Sequence, residues 1–211
     1  MKICIISDTH MKHKFLSLKT YEADVLIHCG DITGNGGIMA ITQFMGWYGN
    51  LDQFKHKIFI AGNHDWLFER ANLRAREVVP DNVIYLEDEE AIIDGVKFYG
   101  TPVQKHFCNW AFNRDESKMA QHWAAIPDDT DVVITHSPPY MIGDLVPWAK
   151  EHHGSPSLYK EVVDRIKPKI HCFGHIHEAY GIKNLFGIKF INASCLDGDY
   201  MAVNDPIIVE I

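Results

Sequence analysis

The stretch Lys169-Ile-His-Cys-Phe-Gly-His-Ile-His177 ends an apolar run in two histidines, His175 and His177, spaced two apart. In an extended strand, residues i and i+2 point to the same side. The spacing therefore aims two imidazoles at one spot, at the mouth of a sheet. Neutral imidazole is a common ligand for transition metals. Two histidines make at most half a metal site, so the reading depends on whether the rest of the chain supplies the other half.

The same pattern recurs along the sequence. "KICII" runs into Ser7-Asp8-Thr9-His10, "DVLIHC" into Gly30-Asp31, "KIFIA" into Gly62-Asn63-His64-Asp65, and "DVVIT" into His136-Ser137. These runs alternate little, as strands covered on both faces do. Ala91–Asp94 and Val96–Gly100 are further strand candidates around the turn-forming Asp94-Gly95. Ile188–Ala193 and Ile207–Ile211 are expected as another pair. Helices are expected between the strands. Gly37–Gly49 carries Ile38, Ile41, Met45 and Tyr48 at helical spacing, and Glu116–Ile126 carries Met119, Trp123 and Ile126. A third starts at Ser155-Pro156, with Leu158, Val162 and Ile166 as its apolar stripe and Pro168 as its stop.

Strands alternating with helices predict one α/β layered domain over residues 1–211, without repeat or linker. In such sheets ligands gather beyond the carboxyl ends of the strands. Five polar motifs at five strand ends are what a shared site looks like. The bulk numbers agree with a globular protein: 46 % hydrophobic and 23 % charged residues. The net charge of −8 argues against general binding to nucleic acid or an anionic membrane. An anionic substrate stays compatible, because bound dications reverse the sign locally. Cys4, Cys29, Cys108, Cys172 and Cys195 form no CxxC pair, and no apolar stretch approaches the roughly 20 residues that span a bilayer. A reduced, cytoplasmic protein is expected.

The donors at the strand ends are Asp8, His10, Asp31, Asn63, His136, His175 and His177. Two carboxylates, four imidazoles and one amide oxygen, without thiolate, suit Mn²⁺, Fe, Zn²⁺ or Ni²⁺ better than Ca²⁺ or a cysteine-bound zinc. Seven donors are too many for one ion and fit two that share a carboxylate. Such bimetal sites serve phosphoryl displacement.

With these residues in hand, "DTH…GD…GNHD…H…GHIH" resembles the signature of calcineurin-like metallophosphoesterases, motif by motif along the chain. The resemblance implies two face-to-face mixed β-sheets flanked by helices. It implies one metal on Asp8, His10, Asp31 and His177 and another on Asp31, Asn63, His136 and His175, with Asp31 bridging. "DVLIHCGDIT", "IAGNHD", "FYGTPV", "FGHIHEAYG" and "INAS" look like the animal metallophosphoesterase-domain-containing proteins; class III cyclic nucleotide phosphodiesterases are similar at greater distance. The expected reaction is in-line attack on phosphorus by a hydroxide shared between the ions, Mn²⁺ being the first choice for activity. His64, outside the ligand set, is the expected general acid, with Asp65 orienting or charging it.

Charge counting favours diesters. Two dications, two carboxylates and one hydroxide leave roughly one net positive charge, which matches a phosphodiester monoanion. Protein phosphatases of this superfamily carry an arginine before GNH, where Ala61 stands here, and their GDxxDRG also differs from "GDITGNG". The resemblance suggests 2′,3′- or 3′,5′-cyclic nucleotides as first substrates. A phosphomonoesterase, a nuclease or a non-catalytic interaction module on the same site stay open, as does the oligomeric state. Trp110 or Phe112, in the aperiodic stretch "HFCNWAFNRD" (106–115), are candidates for stacking on a nucleobase, beside Asn63 and His64 as substrate contacts. The N–H groups at the Ser155 helix start, behind His152-His153-Gly154, are a candidate anion site. His28 and His171, inside apolar runs, read as core residues or supports for the donors.

Overall fold

The runs of Ile, Val, Leu and Phe become strands because β-branched and aromatic side chains fit a pleated surface buried on both sides. The computed structural model describes the chain from Met1 to Ile211. Its strands are β1 (Lys2–Ile6), β2 (Ala23–His28), β3 (Phe54–Phe59), β4 (Ile84–Tyr85), β5 (Glu89–Ile93), β6 (Val96–Thr101), β7 (Val132–Thr135), β8 (Ile170–Phe173), β9 (Gly181–Leu185), β10 (Ile188–Asn192) and β11 (Ile207–Glu210), with two short two-stranded ladders and three isolated bridges besides. The helices are α1 (Ile38–Gly49), α2 (Trp66–Arg70), α3 (Asn72–Arg76), α4 (Glu116–Ala124) and α5 (Pro156–Lys160). No helix is long and apolar enough to cross a membrane.

One sheet has five strands in the order β11-β1-β2-β3-β4, parallel except for β11 against β1. The other has six in the order β9-β10-β8-β7-β6-β5, parallel in the middle and antiparallel at both edges. The expected pair Ile188–Ala193 and Ile207–Ile211 is therefore corrected: β10 and β11 lie in different sheets. Both are apolar and short, and nothing in either run says which neighbour it bonds.

The period-2 geometry of the strands sorts each run into layers. In β1, Ile3 and Ile5 join Val25, Ile27, Ile58, Val132, Ile134, Ile170 and Cys172 in the layer between the sheets. Cys4 and Ile6 face the other way, onto Ile41, Phe44, Met45 and Tyr48 of α1. The outer face of the second sheet packs Val133, Phe173 and Phe190 on Met119 and Trp123 of α4 and on Leu158, Val162 and Ile166. The layers explain why the runs look unalternating: both faces are covered.

The start of α5 obeys the expected chemistry. Ser155 Oγ accepts from Leu158 N at 3.1 Å, and Pro156 opens the helix. The backbone continues in wider π-type turns to Ile166 and closes at Lys167, whose φ is 51°, just before Pro168. The candidate anion site there is corrected. Glu116 of α4 already supplies the anion, its Oε1 accepting from Ser157 N at 2.8 Å and from Ser155 Oγ at 2.9 Å.

Strand direction decides where the polar motifs go. β1, β2 and β3 end together, as do β7 and β8, and the two groups meet across the seam between the sheets. Ser7 and Ser194 form a parallel bridge there, and Gly174 N donates to His136 O at 3.0 Å.

His28 and His171 are fully buried. Gly30 N donates to His28 Nδ1 at 3.2 Å, so Nε2–H donates to Thr9 Oγ1 at 3.0 Å; His171 Nε2 pairs with Thr135 Oγ1 at 2.9 Å. Burial pushes both imidazoles down to about 3. Unfolded histidine titrates at about 6.5, so as pH falls the unfolded chain takes up protons that the fold refuses. The stability from these neutral rings is complete above about pH 6.5 and is lost toward pH 3. We expect urea unfolding midpoints to drop between pH 7 and pH 4.5. His171→Gln should flatten the slope by about one proton, about 1.4 kcal/mol per pH unit; an unaltered slope would mean that His171 is charged in the fold.

Candidate metal centre

Each expected donor sits on a turn that leaves a strand, and the turns are unusual. Asp8, His10, Asp31 and His175 have φ of 53°, 40°, 57° and 67°, a left-handed region that disfavours side chains. Each such residue costs about 1–2 kcal/mol. The packed layer beneath holds them there, since burying one Ile or Val contributes about 1.5–3 kcal/mol. Two glycines of the motifs are required by close approach. A Cβ on Gly62 would stand 2.3 Å from Asp31 N and Oδ1, and one on Gly174 would stand 1.9 Å from Asp8 Oδ2.

The carboxylates lie at the seam. Asp31 Oδ2 is 3.5 Å from His10 Nε2 and 3.5 Å from His136 Nε2, while Asp31 Oδ1 accepts from His64 N at 2.8 Å. Asp8 Oδ1 is 3.4 Å from His177 Nε2, and the Asp8 carboxylate accepts from His175 N and from Ser194 Oγ. His136 Nε2 faces Asn63 Oδ1 at 2.8 Å. Donor atoms of Asp8, His10 and His177 lie within 4.8 Å of one another, as do those of Asp8, Asp31 and His136, and of His10, Asp31 and His64. His175 packs its ring edge-on against His136 at 5.1 Å between centroids.

The hydrogen bonds fix which nitrogen faces inward. Nδ1–H donates to a backbone carbonyl in His10 (Thr33 O, 3.1 Å), His136 (Cys29 O, 2.9 Å) and His177 (Asp197 O, 3.0 Å). In all three Nε2 is left to face the cluster, the arrangement that orients metal-ligating histidines. His10 Nε2 is buried without any hydrogen-bond partner. The unpartnered His10 nitrogen beside a carboxylate is matched by a cation, and the His136 Nε2–Asn63 Oδ1 pair by a proton or a metal ion. The residues present fit divalent metal.

The electrostatics agree. Burial works against charge on every group, yet the His177 hydrogen bond and the imidazoles nearby hold Asp8 well below the usual carboxylate range, and His136 and His10 do the same for Asp31. Burial opposes the proton on His136 and His177, but Asp31 and Asp8 lift them to about 9. His175 is pushed down to about 3 by burial and by His136.

Three expectations about the site are corrected. Asp65 does not reach the His64 ring. Its carboxylate accepts from Ile32 N, Thr33 N, Gly62 N and Thr33 Oγ1 at 2.8–3.1 Å, tying the GD turn to the GNHD turn. Burial and the Asp31 charge raise it to about 6. The group that orients His64 is a carbonyl, Gly34 O, 2.7 Å from Nδ1. Phe112 is buried in the core around α1 and offers no face to a ligand. Trp110 lies against His64 itself, with centroids 4.0 Å apart and planes at 30°, so its ring supports the candidate acid.

Around the cluster opens a cavity of about 300 Å³, walled by Lys105, His106, Phe107, Trp148, His153 and Tyr200 besides the donors. Tyr200 packs on the rings of His10 and His177, with centroids 5.1 and 5.0 Å away. Sequence reasoning missed Tyr200, Ser194 and Thr33. Each is a lone polar residue outside the repeated strand-end pattern, so no spacing marks it.

Known proteins resemble this chain along most of its length. The family model of the calcineurin-like phosphoesterases matches residues 1–179. Metallophosphoesterase domain-containing protein 1 of Homo sapiens is 33 % identical over 232 residues, covering 99 % of this chain and 70 % of that protein. A UPF0046 protein of Caenorhabditis elegans is 34 % identical over 228 residues, covering all of this chain and 81 % of that protein. One solved structure superposes with a TM-score of 0.71 at 17 % identity, over 90 % of this chain and 89 % of that one, which speaks for the fold alone. With its donors clustered at the seam and its motifs matched from the first residue through GHIH, this chain belongs to the calcineurin-like phosphoesterase family.

Proposed function

We propose that this chain is a dinuclear-metal phosphodiesterase acting on small nucleotide-like diesters, with 2′,3′- and 3′,5′-cyclic nucleotides as first candidates. The observation that carries the reading is Asp31 Oδ2, placed 3.5 Å from an imidazole on either side, each with its other nitrogen tied to backbone. Asp8, His10, Asp31 and His177 would hold one ion and Asp31, Asn63, His136 and His175 the other. Two bound dications, Mn²⁺ first and Fe, Zn²⁺ or Ni²⁺ as alternatives, supply a nucleophile at neutral pH and neutralise the phosphoryl charge.

His64 is the proposed general acid. Its backbone N–H donates to Asp31, which sets it beside the cluster, and its Nδ1–H donates to Gly34 O. That turns Nε2 to the cavity that the ring lines, where the imidazolium form can give its Nε2 proton to the departing alkoxide. Trp110 behind the ring limits its rotation. Asn63, beside His64, is a proposed contact for the phosphoryl group as well as a ligand. The net charge of −8 supports a small substrate over nucleic acid or a membrane surface, and five free thiols support a reducing cytoplasm.

A second reading, phosphomonoester hydrolysis, has its own support. Lys105 lines the cavity outside the motifs, with His106 and His153 beside it, so a cation absent at Ala61 stands elsewhere. The two readings separate on bis(p-nitrophenyl) phosphate against p-nitrophenyl phosphate. Metal-stripped protein given Mn²⁺ should bind about two equivalents, as dinuclear sites do, and turn over the diester faster. A monoester preference would favour the second reading, and failure to bind metal would sink both. His64→Ala should keep its metal and lose about 10²–10⁴ in diester turnover. A loss of only a few-fold would remove the acid role.

A further inference from the structure

The cavity has a wall that the hydrolytic reading leaves unused. It is made by two loops, 105–113 and 139–154, with Ile176 of the GHIH turn between them in the lining, and its apolar members are Phe107, Val146, Trp148 and Ile176. Trp148 is 82 % exposed and Phe107 47 % exposed, and both face the same cavity as the donors. Phe107 lies edge-on to His175, with centroids 6.0 Å apart, which fixes this wall beside the donor cluster. Ser137, next in sequence to His136, also lines the cavity. Its hydroxyl is buried, without a hydrogen-bond partner.

Both loops are held by their own polar clasps. Asn113 bonds the backbone on either side of Phe107: Phe107 N donates to its Oδ1 at 3.4 Å, and its Nδ2 donates to Phe107 O and Cys108 O, each at 3.1 Å. Asp144, fully buried, accepts from Met141 N at 2.9 Å, Gly154 N at 3.0 Å and His152 Nδ1 at 2.7 Å, closing the loop that carries Trp148. Exposed aromatic rings on pinned loops are poised for a partner, since the entropy of ordering them is already lost.

We propose that Phe107 and Trp148 form a ring-binding subsite for the base of a nucleoside whose phosphoester lies at the donor cluster. This rests on the reading of that cluster as a phosphoesterase centre. An aromatic face on each loop suits a planar heterocycle, because base–aromatic stacking tolerates any base. Lys105 and His106, on the same wall, carry N–H donors suited to the acceptor atoms of a base edge. Ser137, beside the donors, offers its unsatisfied hydroxyl to the sugar or phosphate. The base-stacking role that the sequence suggested for Trp110 and Phe112 thus passes to Phe107 and Trp148.

The test is calorimetric titration of the Mn²⁺-loaded chain with adenosine 5′-monophosphate and with ribose 5-phosphate, which differ by the base alone. The nucleotide should bind at least about 10-fold more tightly. Trp148→Ala and Phe107→Ala should each remove most of that preference while ribose 5-phosphate binding stays within two-fold, and Trp148→Phe should retain it. Equal binding of the two ligands, no nucleotide binding, or parallel loss of both in Trp148→Ala would overturn the subsite. Because the readout is binding, it is separable from turnover. A chain that prefers the nucleotide yet cleaves no ester keeps the subsite and loses the hydrolase reading. One that cleaves bis(p-nitrophenyl) phosphate but ignores the base loses the subsite alone.

Discussion

Two buried carboxylates at a seam organise this molecule. Asp8 and Asp31 are fully shielded from solvent, and two like charges so placed cannot stay ionised unless positive charge or hydrogen bonding answers them. The chain answers with imidazoles from both sides: His10 from the first sheet's turns, His136 and His177 from the second's. No arginine or lysine approaches either carboxylate. Neutralisation by imidazole is conditional on protons, whereas a dication supplies it outright. The same arrangement therefore makes the site receptive to metal.

The seam also explains the division of labour between the sheets. Neither sheet supplies a complete donor set: Asp8, His10, Asp31 and Asn63 leave one, and His136, His175 and His177 leave the other. The inner apolar layer sets the distance between them, and Ser7–Ser194 and Asp65 lock the turns on top. Asp65 earns its place in the GNHD motif through four bonds to neighbouring turns. A carboxylate that shapes two loops would look, in sequence, the same as one that charges a histidine.

What the sequence disclosed was whatever repeats. The apolar runs, each ending in Asp, Asn or His, located five strands and pointed to seven candidate donors, of which Asp8, His10, Asp31, His136 and His177 fall in the close-set groups; the stripe of α1 or the Ser155 cap needed only local chemistry. What it hid was whatever depends on a backbone atom or on a distant neighbour. The carbonyls of Thr33, Cys29, Asp197 and Gly34 orient four imidazoles, and a carbonyl has no letter of its own. β10 and β11 were legible as strands but not as members of different sheets. Phe112 and Trp148 are both aromatic residues in aperiodic stretches; only packing tells that the first is core and the second is exposed.

The two wall loops share one more property. Each closes on itself: Gln104–Lys105 pairs with Asn113–Arg114 in a short ladder, and Pro139 bridges to Ser155. Each loop is thus gathered at its base; Trp110, Phe112 and Ile142 then pack on the body, while Phe107 and Trp148 stay at the rim of the cavity. Lengthening such a loop costs free energy that grows only with the logarithm of its length. Insertions there can remake the outline of the cavity while the strand ends keep their spacing. The fold thus pairs a fixed floor with an adjustable rim, so that the shape of the cavity mouth is separable from the spacing of the candidate donors beneath it.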